Sequence, residues 1–171
     1  MIRLPEYARI LRHLPCGQHP FLALLPLVAE SPAVHRIESA AMPIARLLET
    51  ARVRIEQQNG YIWVDDDSPA IILAEHYYRR GSTRDLYLDL LHELTHLRQL
   101  AEGRGLWNRS LHYVDRPTEI EGYAVAVQEG RRLGMTEADI VRHLSNPWMT
   151  PADVTRLCAN VERFLNQAGN H

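Results

Sequence analysis

The chain has 171 residues, 46% of them hydrophobic and 23% charged, with a formal net charge of −2. That length and composition predict one compact globular domain, residues 1–171, with a sizeable core. The near-neutral balance lacks the basic excess on which nucleic acid and anionic membranes select, so neither partner is expected and a neutral, peptide-like substrate fits better. Cys16 and Cys158 are too few and too far apart for a disulfide framework or a cysteine-rich metal site, so reduced thiols in a cytoplasm are expected. The run from Phe21 to Ala29 is apolar but interrupted by Pro26, which makes it a poor signal peptide and too short a span for a bilayer.

In chain order, Pro5, Pro15, Pro20, Pro26, Pro32 and Pro43 cut residues 1–50 into short pieces, read as short helices flanking the core. Val53 and Ile55 then alternate with arginines, Gln58-Asn59-Gly60 marks a turn, and Tyr61-Ile62-Trp63-Val64 returns, which predicts a β-hairpin. Asp65-Asp66-Asp67-Ser68-Pro69 reads as a solvated turn, because a calcium loop needs alternating ligands and a distal glutamate. Ala70 to Tyr78 reads as a third strand, partly buried.

The rest is helical. A capping box of Ser82 with Asp85 opens a helix that stops at Gly103 and Gly105, and a second helix runs from near Thr118 to near Gly134. Thr136 with Asp139, and Thr150 with Asp153, open two shorter helices. The expected class is α+β: a small, mostly antiparallel three-stranded sheet packed on two helices over residues 52–134, with extra short helices in 1–50 and 135–171. Nothing in the sequence fixes an oligomeric state.

The chemistry concentrates in His92-Glu93-Leu94-Thr95-His96, an H-E-x-x-H sequence within a capped helix. At about 100° per residue, His92 and His96 lie about 40° apart and one turn apart in height, suited to two nitrogens on one ion, with Glu93 near enough to reach a water there. Leu86, Leu90, Leu94, Leu97 and Leu100 share another arc and predict the buried face. Two histidines leave a catalytic zinc one protein ligand short, and Glu119 and Glu121 compete for that place at positions about 200° apart. Gly122, Ala126 and Gly130 repeat every fourth residue on the Glu119 face and form a groove that another helix can approach closely. Glu121 shares its face with Gln128 and Arg132, a stripe suited to solvent, and lies three residues after Thr118 as in a capping box. Glu119 is therefore the expected third ligand.

These residues, His92-Glu93-Leu94-Thr95-His96 followed by Glu119-Ile120-Glu121-Gly122-Tyr123-Ala124-Val125-Ala126, resemble the gluzincin metallopeptidases. The similarity is greatest to the minimal gluzincins and to regulatory zinc proteases of the ImmA/IrrE type, and it covers roughly residues 60–134. It implies a minimal zincin fold, a zinc cofactor on His92, His96 and Glu119, and peptide-bond hydrolysis of a peptide or protein substrate. Glu93 is then the general base that passes its proton to the leaving amine. An oxyanion partner comes from Tyr113, His112 or His143, with Tyr113 preferred. The strand before the active helix is where similar enzymes pair an edge strand with substrate. Many gluzincins carry Asp or Asn four residues after the ligand, whereas Tyr123 stands there in this chain. Latency in similar proteins implies that the first fifty residues, or the helices from Thr136, cover the cleft.

Two other classes compete. A zincin scaffold that binds a partner without cleaving it would not need Glu93. Peptide deformylase also uses H-E-x-x-H, but its third ligand is an upstream cysteine that neither Cys16 nor Cys158 is placed to supply. His13, His19, His35, His76 and His171 lack partner spacing and read as surface or packing residues, and Trp63, Trp107 and Trp148 as core or rim.

Overall fold

Six prolines prevent any long helix in the first fifty residues, and the computed structural model, which describes residues 3–169, lays them down in short pieces. His171, grouped above with the surface and packing histidines, lies outside the described residues, as do Met1, Ile2 and Asn170. A 3-10 turn at Glu6–Ala8 leads to strand β1 (Gly17–Pro20) and helices α1 (Phe21–Leu24), α2 (Val34–Ile37) and α3 (Ile44–Thr50). Pro20 and Pro43 stand directly before α1 and α3, where the missing N–H costs no helical hydrogen bond. Strands β2 (Arg52–Glu56), β3 (Ile62–Asp65) and β4 (Ala70–Ala74) follow. The helices α4 (Glu75–Arg80), α5 (Thr83–Ala101), α6 (Pro117–Arg132), α7 (Glu137–Leu144) and α8 (Pro151–Ala168) complete an α+β architecture.

The sheet departs from expectation in strand number and in order. It has four strands, β1-β2-β4-β3, and is mixed where three mostly antiparallel strands were expected. β1 comes from the N-terminal flank and runs antiparallel to β2, with Gly17 opposite Ile55. Its sequence, Gly-Gln-His-Pro, has no strand signature, and a proline is tolerated there because the strand lies at the sheet edge. β2 and β3 do not form a hairpin. β4 lies between them, parallel to β2 and antiparallel to β3, so that Ile71 faces both Val53 and Val64. Every residue of β4 is buried, as a central strand requires. The tight turn sits at the acidic triplet, where Asp65 Oδ1 accepts the backbone N–H groups of Asp67 at 3.1 Å and Ser68 at 3.2 Å.

The strand expected to reach Tyr78 ends at Ala74. Glu75 in the first turn and Arg79 and Arg80 in the last suit the dipole of α4. Arg79 donates to the carbonyls of Arg12 and Leu14, and the Leu14 N–H donates to the Tyr78 hydroxyl, which ties this helix to the N-terminal flank. Cys16 in that flank is exposed and forms no disulfide.

Ser82 accepts the Asp85 N–H at 3.3 Å to open α5, and Gly103, at φ +75°, supplies the left-handed turn that ends it. α6 begins at Pro117 with Arg116 in the cap position, so the expected Thr118–Glu121 capping box does not form. Thr136 with Asp139 and Thr150 with Asp153 do form reciprocal capping boxes. α8, at 18 residues, is longer than the 16 of α6 rather than shorter.

Buried residues from Ala8 to Val161 form one contiguous hydrophobic cluster with α5 at its centre. Leu86, Tyr87, Leu88, Leu90, Leu91 and Leu94 are all at 0% exposure, so α5 is enclosed on nearly every side and not along one leucine face. The N-terminal pieces cover its back, and a polar line crosses there: Ser31 Oγ and Glu129 Oε1 lie 2.7 and 3.1 Å from the Tyr87 hydroxyl, and Arg132 donates to Glu129 at 2.7 Å. Among the described residues no helix is long and apolar enough to cross a membrane.

The strand order makes a distinction that sequence alone did not. Ile71 on central β4 is fully buried and Ile62 on edge β3 only half so. Ile71→Ala should cost about 2–5 kcal/mol in urea unfolding, and Ile62→Ala clearly less; equal costs would contradict the order.

Candidate metal centre

α5 and α6 pack face to face, and the packing brings three donors together. His92 and His96 project from successive turns of α5, and their Nε2 atoms lie 2.9 Å apart. Glu119, in the first turn of α6, places Oε2 at 3.3 Å from His92 and 3.5 Å from His96. These side chains are 8%, 6% and 4% exposed in the order His92, His96, Glu119. A tetrahedral ion with ligand bonds of about 2.1 Å holds its donors about 3.4 Å apart; the two histidine–glutamate separations match that, the histidine pair at 2.9 Å is tighter, and the three residues together could hold an ion. Glu119 Oε2, His92 Nδ1 and Glu93 Oε2 are all buried without a hydrogen-bond partner, an arrangement that needs a ligand or water to complete it. Asp65, Asp66 and Asp67 also cluster, but Asp66 and Asp67 are exposed and Asp65 is engaged by Arg54 and its own turn.

Glu121 takes no part in this corner. Its side chain is not turned to solvent as expected: it accepts from Arg98, from Arg104 at 2.6 Å and from Gln99 Nε2 at 2.8 Å. The groove of small residues does allow the close approach. A Cβ placed on Gly122 would lie 3.0 Å from the His92 ring, so the ring packs directly on the α6 backbone. Tyr123 covers the same imidazole edge-on, with ring centroids 4.3 Å apart, and so holds His92 by packing where a carboxylate would hold it by a hydrogen bond. His96 is secured by Gln99, whose Oε1 lies 2.8 Å from His96 Nδ1. Sequence reading missed Gln99, because its role depends on where α6 places Glu121 and the Thr118 carbonyl.

The buried position sets the charges. Burial opposes ionisation of Glu119, but the two imidazoles beside it outweigh that and hold it below the usual carboxylate range. Burial, then repulsion from His96, pushes His92 down to about 4. Burial pushes Glu93 up to about 8 against the attraction of His96.

A cleft of about 810 Å3 opens over the three donors. One wall is the chain from Gly60 to Val64, which makes β3, and not the strand before α4, the edge strand beside the site. Leu106, Trp107, Tyr113 and the chain from Ser145 to Trp148 also line the cleft. Trp148 and Trp107, 62% and 45% exposed, form an aromatic rim. Tyr113 faces the cleft with its hydroxyl 2.8 Å from that of Tyr123, which also accepts from Asn146 at 2.8 Å. Burial, then the neighbouring Tyr123, raises the Tyr113 hydroxyl well above its ordinary value, so it stays protonated and able to donate. His143 lies at the far end, 3.5 Å from Asp89, which also receives the Tyr77 hydroxyl. His112 is outside the lining, 3.7 Å from Asp153. The C-terminal segment thus forms part of the cleft, whereas none of the described residues among the first fifty lines it. Cys16 and Cys158 stand apart from the three donors.

Comparison of the chain with protein-family models, with curated proteins and with solved structures finds no match. The geometry of the site is therefore the basis for assigning chemistry.

Glu121 makes a pH-dependent prediction. Burial opposes its charge, but hydrogen bonds from Gln99 and Arg98 hold it below its ordinary value of 4.5. Its contribution is then present above pH 4.5 and lost as pH falls through the lower folded-state value. Glu121→Gln should cost on the order of 2–3 kcal/mol in urea unfolding at pH 7, and the gap should close in acid; a gap that stays constant with pH would count against the ion network.

Proposed function

We propose that this protein is a zinc-dependent peptidase built on a minimal gluzincin-like core, with His92, His96 and Glu119 as zinc ligands. The observation that carries the proposal is the buried, hydrogen-bond-deficient corner of two imidazoles and a carboxylate with the Glu93 carboxyl beside it, opening on a large cleft. A donor set of two histidines and one glutamate leaves a fourth position open, the composition of a catalytic site rather than a structural one. When bound, the ion supplies Lewis acidity, polarising a carbonyl and acidifying water.

The remaining work falls to the chain's own residues. Glu93, buried beside the donors at the floor of the cleft, takes the proton from the attacking water and delivers it to the leaving amine. Tyr113, protonated at all working pH values, donates a hydrogen bond to the carbonyl oxygen as it gains charge. The free edge of β3 offers backbone donors and acceptors to an extended peptide, and Tyr61, Trp63, Trp107 and Trp148 offer apolar surface to its side chains. The substrate is accordingly a peptide or an extended segment of a protein.

The purified protein should carry one zinc per chain by elemental analysis. His92→Ala, His96→Ala and Glu119→Ala should each lose it, while Glu121→Ala should keep it. Zinc retained by all three ligand variants would end the assignment.

Glu93→Gln preserves ligands and shape but removes the base, so it should keep the zinc and lower peptide cleavage by orders of magnitude. Cleavage at the wild-type rate would transfer the assignment to a binding protein that uses the same fold without catalysis.

A further inference from the structure

Every hydrogen-bonding group of the Gln99 side chain is engaged, although the residue is fully buried. Its Oε1 lies 2.8 Å from His96 Nδ1, and its Nε2 donates to the Thr118 carbonyl at 3.1 Å and to Glu121 Oε2 at 2.8 Å. Both partners of Nε2 are acceptors only. The amide therefore cannot be turned over, because its oxygen would then face a carbonyl and a carboxylate with no proton between them. With Oε1 fixed as the acceptor, His96 must present an N–H at Nδ1, and Nε2 is the nitrogen left to face His92 and Glu119.

The same geometry explains an amide at this position. A carboxylate at 99 would meet the Glu121 carboxylate, which is itself fixed by Arg98 and by Arg104 at 2.6 Å. The two imidazoles also differ in how they are secured. His92 Nδ1 is buried without a hydrogen bond, its ring held by Gly122 and Tyr123, so the Gln99 contact is the one hydrogen bond on the Nδ1 side of either ring among the described residues.

We infer that Gln99, itself fixed by Glu121 and the Thr118 carbonyl, is a positioning residue that sets the tautomer and orientation of His96 for metal binding. Only the last step rests on the zinc proposal; the proton on Nδ1 follows from the hydrogen bonds alone. Outer partners of this kind typically change metal affinity about 10–100-fold when removed.

Two measurements on the full chain separate the inference from the zinc assignment. Nitrogen-15 NMR of the metal-free protein should find a proton on His96 Nδ1, protected from exchange in the wild type and exchanging freely in Gln99→Met. Zinc affinity by chelator competition should fall about 10–100-fold in Gln99→Met. It should fall further in Gln99→Glu, and recover at least tenfold over that single variant when Glu121→Gln is added, since the repulsion between two carboxylates is then replaced by a donor at 121 facing an acceptor at 99, the wild-type pairing reversed. An unprotonated Nδ1 in the wild type overturns the inference, and this readout needs no variant to fold. Zinc affinity in Gln99→Met within twofold of wild type overturns it equally. A wild type that binds no zinc but shows the protected Nδ1 proton would overturn the zinc assignment while leaving the Gln99 lock supported.

Discussion

A helix enclosed on nearly every side can carry polar side chains only where each has a partner, and α5 carries six of them among its buried residues: His92, Glu93, Thr95, His96, Arg98 and Gln99. Much of the remaining architecture answers that requirement. Thr95 returns its hydroxyl to the Leu91 carbonyl at 2.9 Å, Arg98 is met by Glu102 and Glu121, and Gln99 by His96, Thr118 and Glu121. Almost all of these partners come from α5 itself or from the first two turns of α6. Among the atoms left without a partner, one oxygen of Glu93, one of Glu119 and a nitrogen of His92 are gathered at the cleft, whereas Arg98 Nε, Gln58 Nε2 and Arg116 Nε lie outside its lining.

The two flanks divide the labour. Residues before β2 close the sheet edge and cover the back of α5, joined to α6 through Tyr87, Glu129 and Arg132. Residues after α6 shape the open side, with Asn146 supporting the Tyr123 and Tyr113 hydroxyls and Trp148 at the rim, its ring edge-on to Tyr113 with centroids 6.3 Å apart. The N-terminal flank packs on the sheet and the back of α5, and the C-terminal flank lines the cleft.

What could be read in the sequence was local in origin. His92, Glu93 and His96 lie within five residues, so helical geometry alone relates them, and Glu119 could be separated from Glu121 because Gly122, Ala126 and Gly130 mark its face as the one that another helix approaches. The threonine caps of α7 and α8 were legible for the same reason. Strand order was not legible. A turn at Gln58-Asn59-Gly60 and a turn at Asp65 compete on composition, and the winner is decided by the complete burial of Ala70–Ala74, a property of the assembled sheet. β1 was invisible because four residues ending in proline carry no pattern, and Gln99 because its partners lie 19 and 22 residues away.

β4 is made after the other three strands yet lies in the middle of the sheet. As the chain is synthesised, β1 and β2 can pair, but the far side of β2 stays bare and β3 has no partner until Ala74 exists. Bare edges of this kind are where a growing chain joins the wrong neighbour. One wholly apolar strand both covers the free edge of β2 and supplies the partner of β3, and the next segments of the chain, α4 and α5, pack against it. The last strand made is thus an inner one, and it also delivers the chain, through α4, to the start of the helix bearing the two histidines.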